Sequence, residues 1–216
     1  MKKWKPFSKW TVTEVEHEFQ LQEQTKNYSF LVNWLRQINE LSPQTKAILD
    51  VLKEELVEYS YGWNEEELRI KFIAKLLDMV KFDALAYKSF FEREILITYK
   101  NQPLAGQVDF VVARGKYVPE IPYFFLHEHK REANSSDDPR GQLLVAMVTA
   151  QLLNQDGYPI YGAYIIGRAW YFVVLQGQEY AVSLAYDATK DDIYQLYGIL
   201  QHTRQLIDER VSQALS

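Results

Sequence analysis

The 216-residue sequence contains no cysteine, which excludes disulfides and every metal centre built on thiolates. It also lacks an unbroken apolar run of the roughly 18 residues a membrane span needs. Glycine and proline number only 9 and 7 and gather into no linker. With no internal repeat or low-complexity tract, one compact unit with a substantial core is expected. A surplus of positive charge is absent as well: the net charge is −5, which argues against indiscriminate attraction to polyanions. The first ten residues carry lysines but no apolar segment or small-residue cleavage site, so a cytoplasmic location is expected.

The basic residues that are present cluster at the start. Lys2, Lys3, Lys5 and Lys9 interleave with Trp4, Phe7 and Trp10 before the first acid, Glu14. Such an arm can grip a phosphate backbone and stack on bases, or it can be a solvated tail whose aromatics dock on the core. Residues 11–60 read as helical: Phe30, Leu31, Trp34, Leu35 and Ile38 recur at helical spacing, and Pro43 opens a second run through Ile48, Leu52 and Leu56. Asn64 is a candidate N-cap for a helix reaching Val80. Strands are expected near 92–99, 106–114 and 122–131. Asp138-Pro139 then opens a helix apolar almost all round, followed by a three-strand meander over 158–184 and a closing helix over 189–211. The expected organisation is a basic arm and helical extension over 1–60 and an α/β domain over 61–216.

Two of those strands end in charge. Asp109 stands within Gly106–Val112, and Glu128 and Lys130 close the run that begins at Tyr123. Charge in a sheet interior is costly unless it is paired or holds a cation. Side chains alternate along a strand, so Glu128 and Lys130 share one face while His127, His129 and Arg131 share the other, and Asp109 can meet Glu128 if the strands pair. A third acid comes from the helix that Asn64 caps. At about 100° per residue Glu65 falls within roughly 20° of Phe72, on the stripe of Leu68, Leu76 and Met79. Glu66 and Glu67 lie well off it and suit the helix dipole.

This order of features, Glu65 on a helix, Asp109 on a strand, Glu128-His129-Lys130 on the next strand and Gln142 in a following helix, resembles the PD-(D/E)XK nuclease superfamily over about residues 64–175. An E-x-K triplet alone is frequent by chance, and the ordered set is the specific part. The resemblance implies a restriction-endonuclease-like core, a central mixed sheet flanked by helices. It makes Asp109 and Glu128 the metal-holding carboxylates, with the main-chain carbonyl of His129 as a further ligand. Lys130 then assists the attacking water, Glu65 binds a metal-coordinated water or a second ion, and Gln142 positions Lys130, water or the backbone of the substrate. The implied cofactor is Mg²⁺, with Mn²⁺ as a substitute, and the implied substrate is DNA ahead of RNA. Lys2, Lys3, Lys5, Arg131, Arg140 and Arg168 are the candidate nucleic-acid contacts, and a homodimer is compatible because nucleases that cut both strands often pair their sites. Two positions depart from the pattern: Val108 stands where the motif's name puts proline, and His129 where an apolar residue is usual.

Three other readings compete. The acids and Lys130 can form a cross-strand ion pair at the wet end of a sheet. The chain can be a non-catalytic member of the same fold that binds nucleic acid or a protein. His127 and His129 can bind zinc as an H-x-H pair, although no third ligand on their face is evident.

Overall fold

The computed structural model describes residues 5–36, 40–129 and 138–215, with the backbone alone at Glu128, His129 and Leu215. The N-terminal part holds α1 (Val12–Phe19), β1 (Gln22–Glu23), α2 (Ser29–Arg36) and α3 (Pro43–Tyr59). Next comes a helix in three pieces: α4 (Glu65–Leu68), a π-turn (Arg69–Ile73) and α5 (Ala74–Val80). The strands β2 (Lys88–Tyr99), β3 (Gln102–Arg114) and β4 (Ile121–His129) lead into α6 (Pro139–Asn154). The chain closes with β5 (Ile160–Ile166), β6 (Ala169–Gln176), β7 (Glu179–Val182), β8 (Tyr186–Asp187) and α7 (Asp192–Leu215).

The eight strands form one mixed open sheet in the order β1-β7-β6-β5-β4-β3-β2, with β8 beside β6. β2, β3 and β4 are an antiparallel meander, and α6 carries the chain over the sheet so that β5 runs parallel to β4. The protein is therefore α/β, as the alternation of strand and helix patterns implied. Among the described residues no helix is long and apolar enough to cross a membrane.

Helices cover both faces of the sheet. On one, α2, α3, α5 and α7 bury Trp34, Leu49, Leu56, Leu76 and Leu200 against Phe110, Phe124, Phe172 and Val174. On the other, α6 lies on Val111, Phe125 and Val173 and is itself roofed by Phe7 and Val15. This double cover explains why α6 is apolar almost all round: sheet lies below it and the N-terminal segment above. Asp138 locks the arrangement by capping two helices, its Oδ1 accepting from Gly141 N at 2.9 Å and its Oδ2 from Val12 N at 2.8 Å. Two glycines permit the close approach. A Cβ on Gly141 would meet the Trp10 carbonyl oxygen at 2.6 Å, and one on Gly106 would meet the Phe7 ring at 2.2 Å. Within the segment expected to be helical, residues 22–23 instead add a parallel edge strand to β7.

Candidate active site

Asp109 lies where the sheet comes apart. On the β2 side, the rungs Phe91↔Phe110 and Arg93↔Val108 skip Glu92, whose backbone takes a left-handed φ of 49°. On the β4 side, the last described rung is Phe110↔Leu126. One step beyond it Asp109 Oδ2 and His127 Nδ1 approach to 2.8 Å, both side chains half-buried. The other ring nitrogen, Nε2, stands 2.9 Å from Gln142 Oε1 in the first turn of α6. With the Gln142 amide in this orientation both ring nitrogens face oxygens, and a doubly protonated ring donates to each.

Electrostatics agree with that state. Burial by itself depresses the basicity of His127, but the hydrogen bond and charge of Asp109, the Gln142 contact and the charge of Glu65 together lift its pKa above the ordinary imidazole value. Glu65 is thus within electrostatic reach of the ring from the first residue of α4. Glu65 and Glu67 are half-buried while Glu66 is exposed, so burial alone does not single out Glu65. Glu67 completes a capping box with Asn64 and pairs with Lys71 at 2.8 Å. The strand kink is tied to the same helix. Glu92 accepts from Arg69, the first residue of the π-turn, at 2.6 Å and from Gln107 at 3.3 Å. Single π-turns recur at functional sites because they rotate one stretch of helix relative to the next.

Glu65, Asp109 and Gln142, named from the sequence, thus gather around one side chain that was named for another chemistry. His127 entered the sequence reading as half of an H-x-H zinc pair; here it binds Asp109. β4 continues through Glu128 and His129, which pair with Ile165 and Ile166 of β5. The side chains of Glu128 and His129, and the whole of Lys2, Lys3, Lys130 and Arg131, lie outside the described residues. Among the described residues no group of three acids or histidines is placed to hold a metal ion.

The remaining basic candidates have acidic partners. Lys5 pairs with Glu14 at 2.5 Å, and Arg168 sits 3.5 Å from Asp187. Arg140 is held more firmly, between Glu23 at 2.5 Å and the Tyr180 hydroxyl at 2.6 Å. Neither a protein-family model nor a curated protein sequence matches the chain.

Proposed function

We propose that the protein is a Mg²⁺-dependent nuclease of the PD-(D/E)XK type that hydrolyses phosphodiester bonds of DNA, leaving a 5′-phosphate and a 3′-hydroxyl. The observation that carries this reading is the convergence of Glu65, Asp109 and Gln142, from three separate elements, on His127 at the opened end of β3 and β4. The mixed sheet, with α4 and α5 on one face and α6 on the other, supports it.

The donor chemistry fits the cation. Asp109 and Glu65 bring two formal negative charges to one imidazolium, leaving local negative charge of the hard oxygen type that magnesium prefers. The resemblance has Asp109 and Glu128 hold the ion with the His129 carbonyl while Lys130 orients or deprotonates the attacking water. Register sets Asp109 opposite His127, on the face of β4 that alternation denies to Glu128, so in this reading Asp109 and Glu65 are the described carboxylates that would hold the ion. When bound, the ion supplies Lewis acidity and lowers the pKa of a coordinated water. His127 acts as a positioning residue: it fixes one oxygen of Asp109, and Gln142 fixes His127 in turn. Carboxylates offer about four acceptor positions, so one bond to His127 is compatible with metal binding.

One observation favours a second reading, a non-catalytic nucleic-acid-binding member of the fold. The ion pair with His127 offsets the charge on Asp109 that a cation would use. Incubating plasmid with the full chain in EDTA, Mg²⁺ and Mn²⁺ separates the two. Cleavage is expected with either metal, is absent in EDTA, and falls to background in Asp109→Ala and Lys130→Ala. Binding without cleavage in both metals selects the second reading, and cleavage surviving both substitutions sinks the first.

A further inference from the structure

Beside the candidate site, on the same face of the sheet, a cleft of about 620 Å³ opens between α1 and the tip of the β2–β3 hairpin. Its walls carry three half-buried rings in a row: Trp10 and Phe19 with centroids 5.8 Å apart, and Phe19 and Tyr99 at 5.2 Å. A lysine amine stands at each end, Lys5 4.8 Å from the Trp10 ring and Lys100 4.8 Å from the Tyr99 ring. We propose that this cleft binds an unpaired nucleobase, with Lys5 and Lys100 taking the phosphates on either side, and so makes single-stranded nucleic acid the preferred substrate class.

The row of rings is the first argument. A packing cluster closes over its aromatics, whereas these three border a cavity large enough for a nucleotide. Base–aromatic stacking accepts any base, because every base presents a π-face. The charges are the second argument. Lys5 pairs with Glu14, and Lys100 with Glu18 at 3.3 Å; Glu14 and Lys100 are exposed, while Lys5 and Glu18 are half-buried. Each pair keeps one member in water, where ion pairs contribute modestly, so a phosphate can take the place of the carboxylate as the lysine's partner. Glu14 keeps a role when Lys5 leaves, since it still accepts from the Thr11 backbone in the capping box of α1.

Position is the third argument. The backbone at Trp10 lies directly on Gly141, the residue before Gln142, and Phe7 borders both His127 and Gln142. The cleft and Asp109 therefore share one face of the sheet, linked through Trp10 and Phe7. The inference rests on the nuclease reading for the substrate class, but its test does not need cleavage.

Binding of labelled single-stranded DNA, single-stranded RNA and blunt duplex DNA of equal length is measured by fluorescence anisotropy in EDTA. Wild type, Phe19→Ala, Tyr99→Ala, Tyr99→Phe and Lys100→Ala are compared, with circular dichroism to verify the fold. Wild type is expected to favour a single strand over the duplex, the DNA and RNA arms identifying which. Tyr99→Ala and Phe19→Ala should each weaken single-strand binding about 5- to 150-fold, while Tyr99→Phe retains it. Lys100→Ala should lower the slope of log K against log salt by about 0.7, the loss of one single-strand phosphate contact. A folded Tyr99→Ala protein that binds single strands like wild type overturns the proposal, as does an equal loss on duplex. Selective single-strand loss without any Mg²⁺-dependent cleavage supports the cleft and sinks the nuclease reading, so the two failures are distinguishable.

Discussion

Among the described side chains each face of the sheet carries one histidine in its packed layers, and the two are used differently. On the α7 face, His202 is buried and its Nδ1 donates to the Trp34 carbonyl at 2.7 Å. Trp34 in turn donates through Nε1 to Thr203 at 2.9 Å. Every acceptor there is neutral, so the arrangement satisfies buried polar groups and fixes α2 on α7. On the α6 face, His127 lies between a carboxylate and an amide oxygen, in the field of a second carboxylate. The contrast teaches that burial of a histidine says little about its role; what its two nitrogens meet says a great deal.

The largest effect should come from the face that only packs. Trp34 is 1% exposed and lies against Tyr161 and Phe172, with centroids 4.7 and 5.3 Å away. Trp34→Ala should cost about 3–5 kcal/mol, a fall in Tm of about 6–20 °C by thermal melting. Assayed well below its melting point, this variant should keep its cleavage rate. A rate loss as large as that of a site variant would mean that the two faces are not separable.

The smaller, opposite effect belongs to His127. His127→Ala should lower Mg²⁺ affinity or cleavage by about 10- to 100-fold, the usual loss when a group holding a metal-binding carboxylate is removed. Mg²⁺ titration of the cleavage rate separates the affinity component from the rate. His202→Ala, the matched control on the other face, should lower Tm and leave that titration unchanged. Identical titrations for His127→Ala and wild type would remove His127 from the site.

Much of this contrast could be read from the sequence, and the part that could not has a physical cause. The stripe through Leu68, Phe72 and Leu76 located Glu65, because helical periodicity is local; the π-turn over Arg69–Ile73 leaves no periodic signature and was missed. Asp138-Pro139 marked the start of α6, although its second task, capping α1 from 126 residues away, is a tertiary fact. The partner of Asp109 depended on strand register. Alternation alone leaves open which face of β4 meets it, and a bulge between Val112 and Ala113 decides the matter. Continued unbroken, the rung Ala113↔Pro122 would set Asp109 opposite Leu126; the bulge carries it to His127. One extra residue in a strand exchanges its two faces, and no pattern within β3 or β4 announces where that residue sits.

The smallest predicted effect is also the most specific to the comparison. The folded-state pKa of His127 lies above its ordinary value of 6.5, because Asp109, Gln142 and Glu65 outweigh burial. Folding therefore takes up protons at this residue. Its contribution to stability is full below the unfolded value, about 6.5, and is lost as pH rises through the higher folded value. Denaturant midpoints measured across that window should fall with pH in wild type, and the fall should be shallower in His127→Gln, which retains a polar side chain but cannot titrate. Substituting Glu65→Gln removes the more distant carboxylate, so the fall should be smaller and end at lower pH, with the midpoint lowered below the window and little changed above it. If wild type and His127→Gln instead show parallel profiles, the imidazole does not carry the charge that its two oxygen neighbours imply, and the electrostatic difference between the faces disappears.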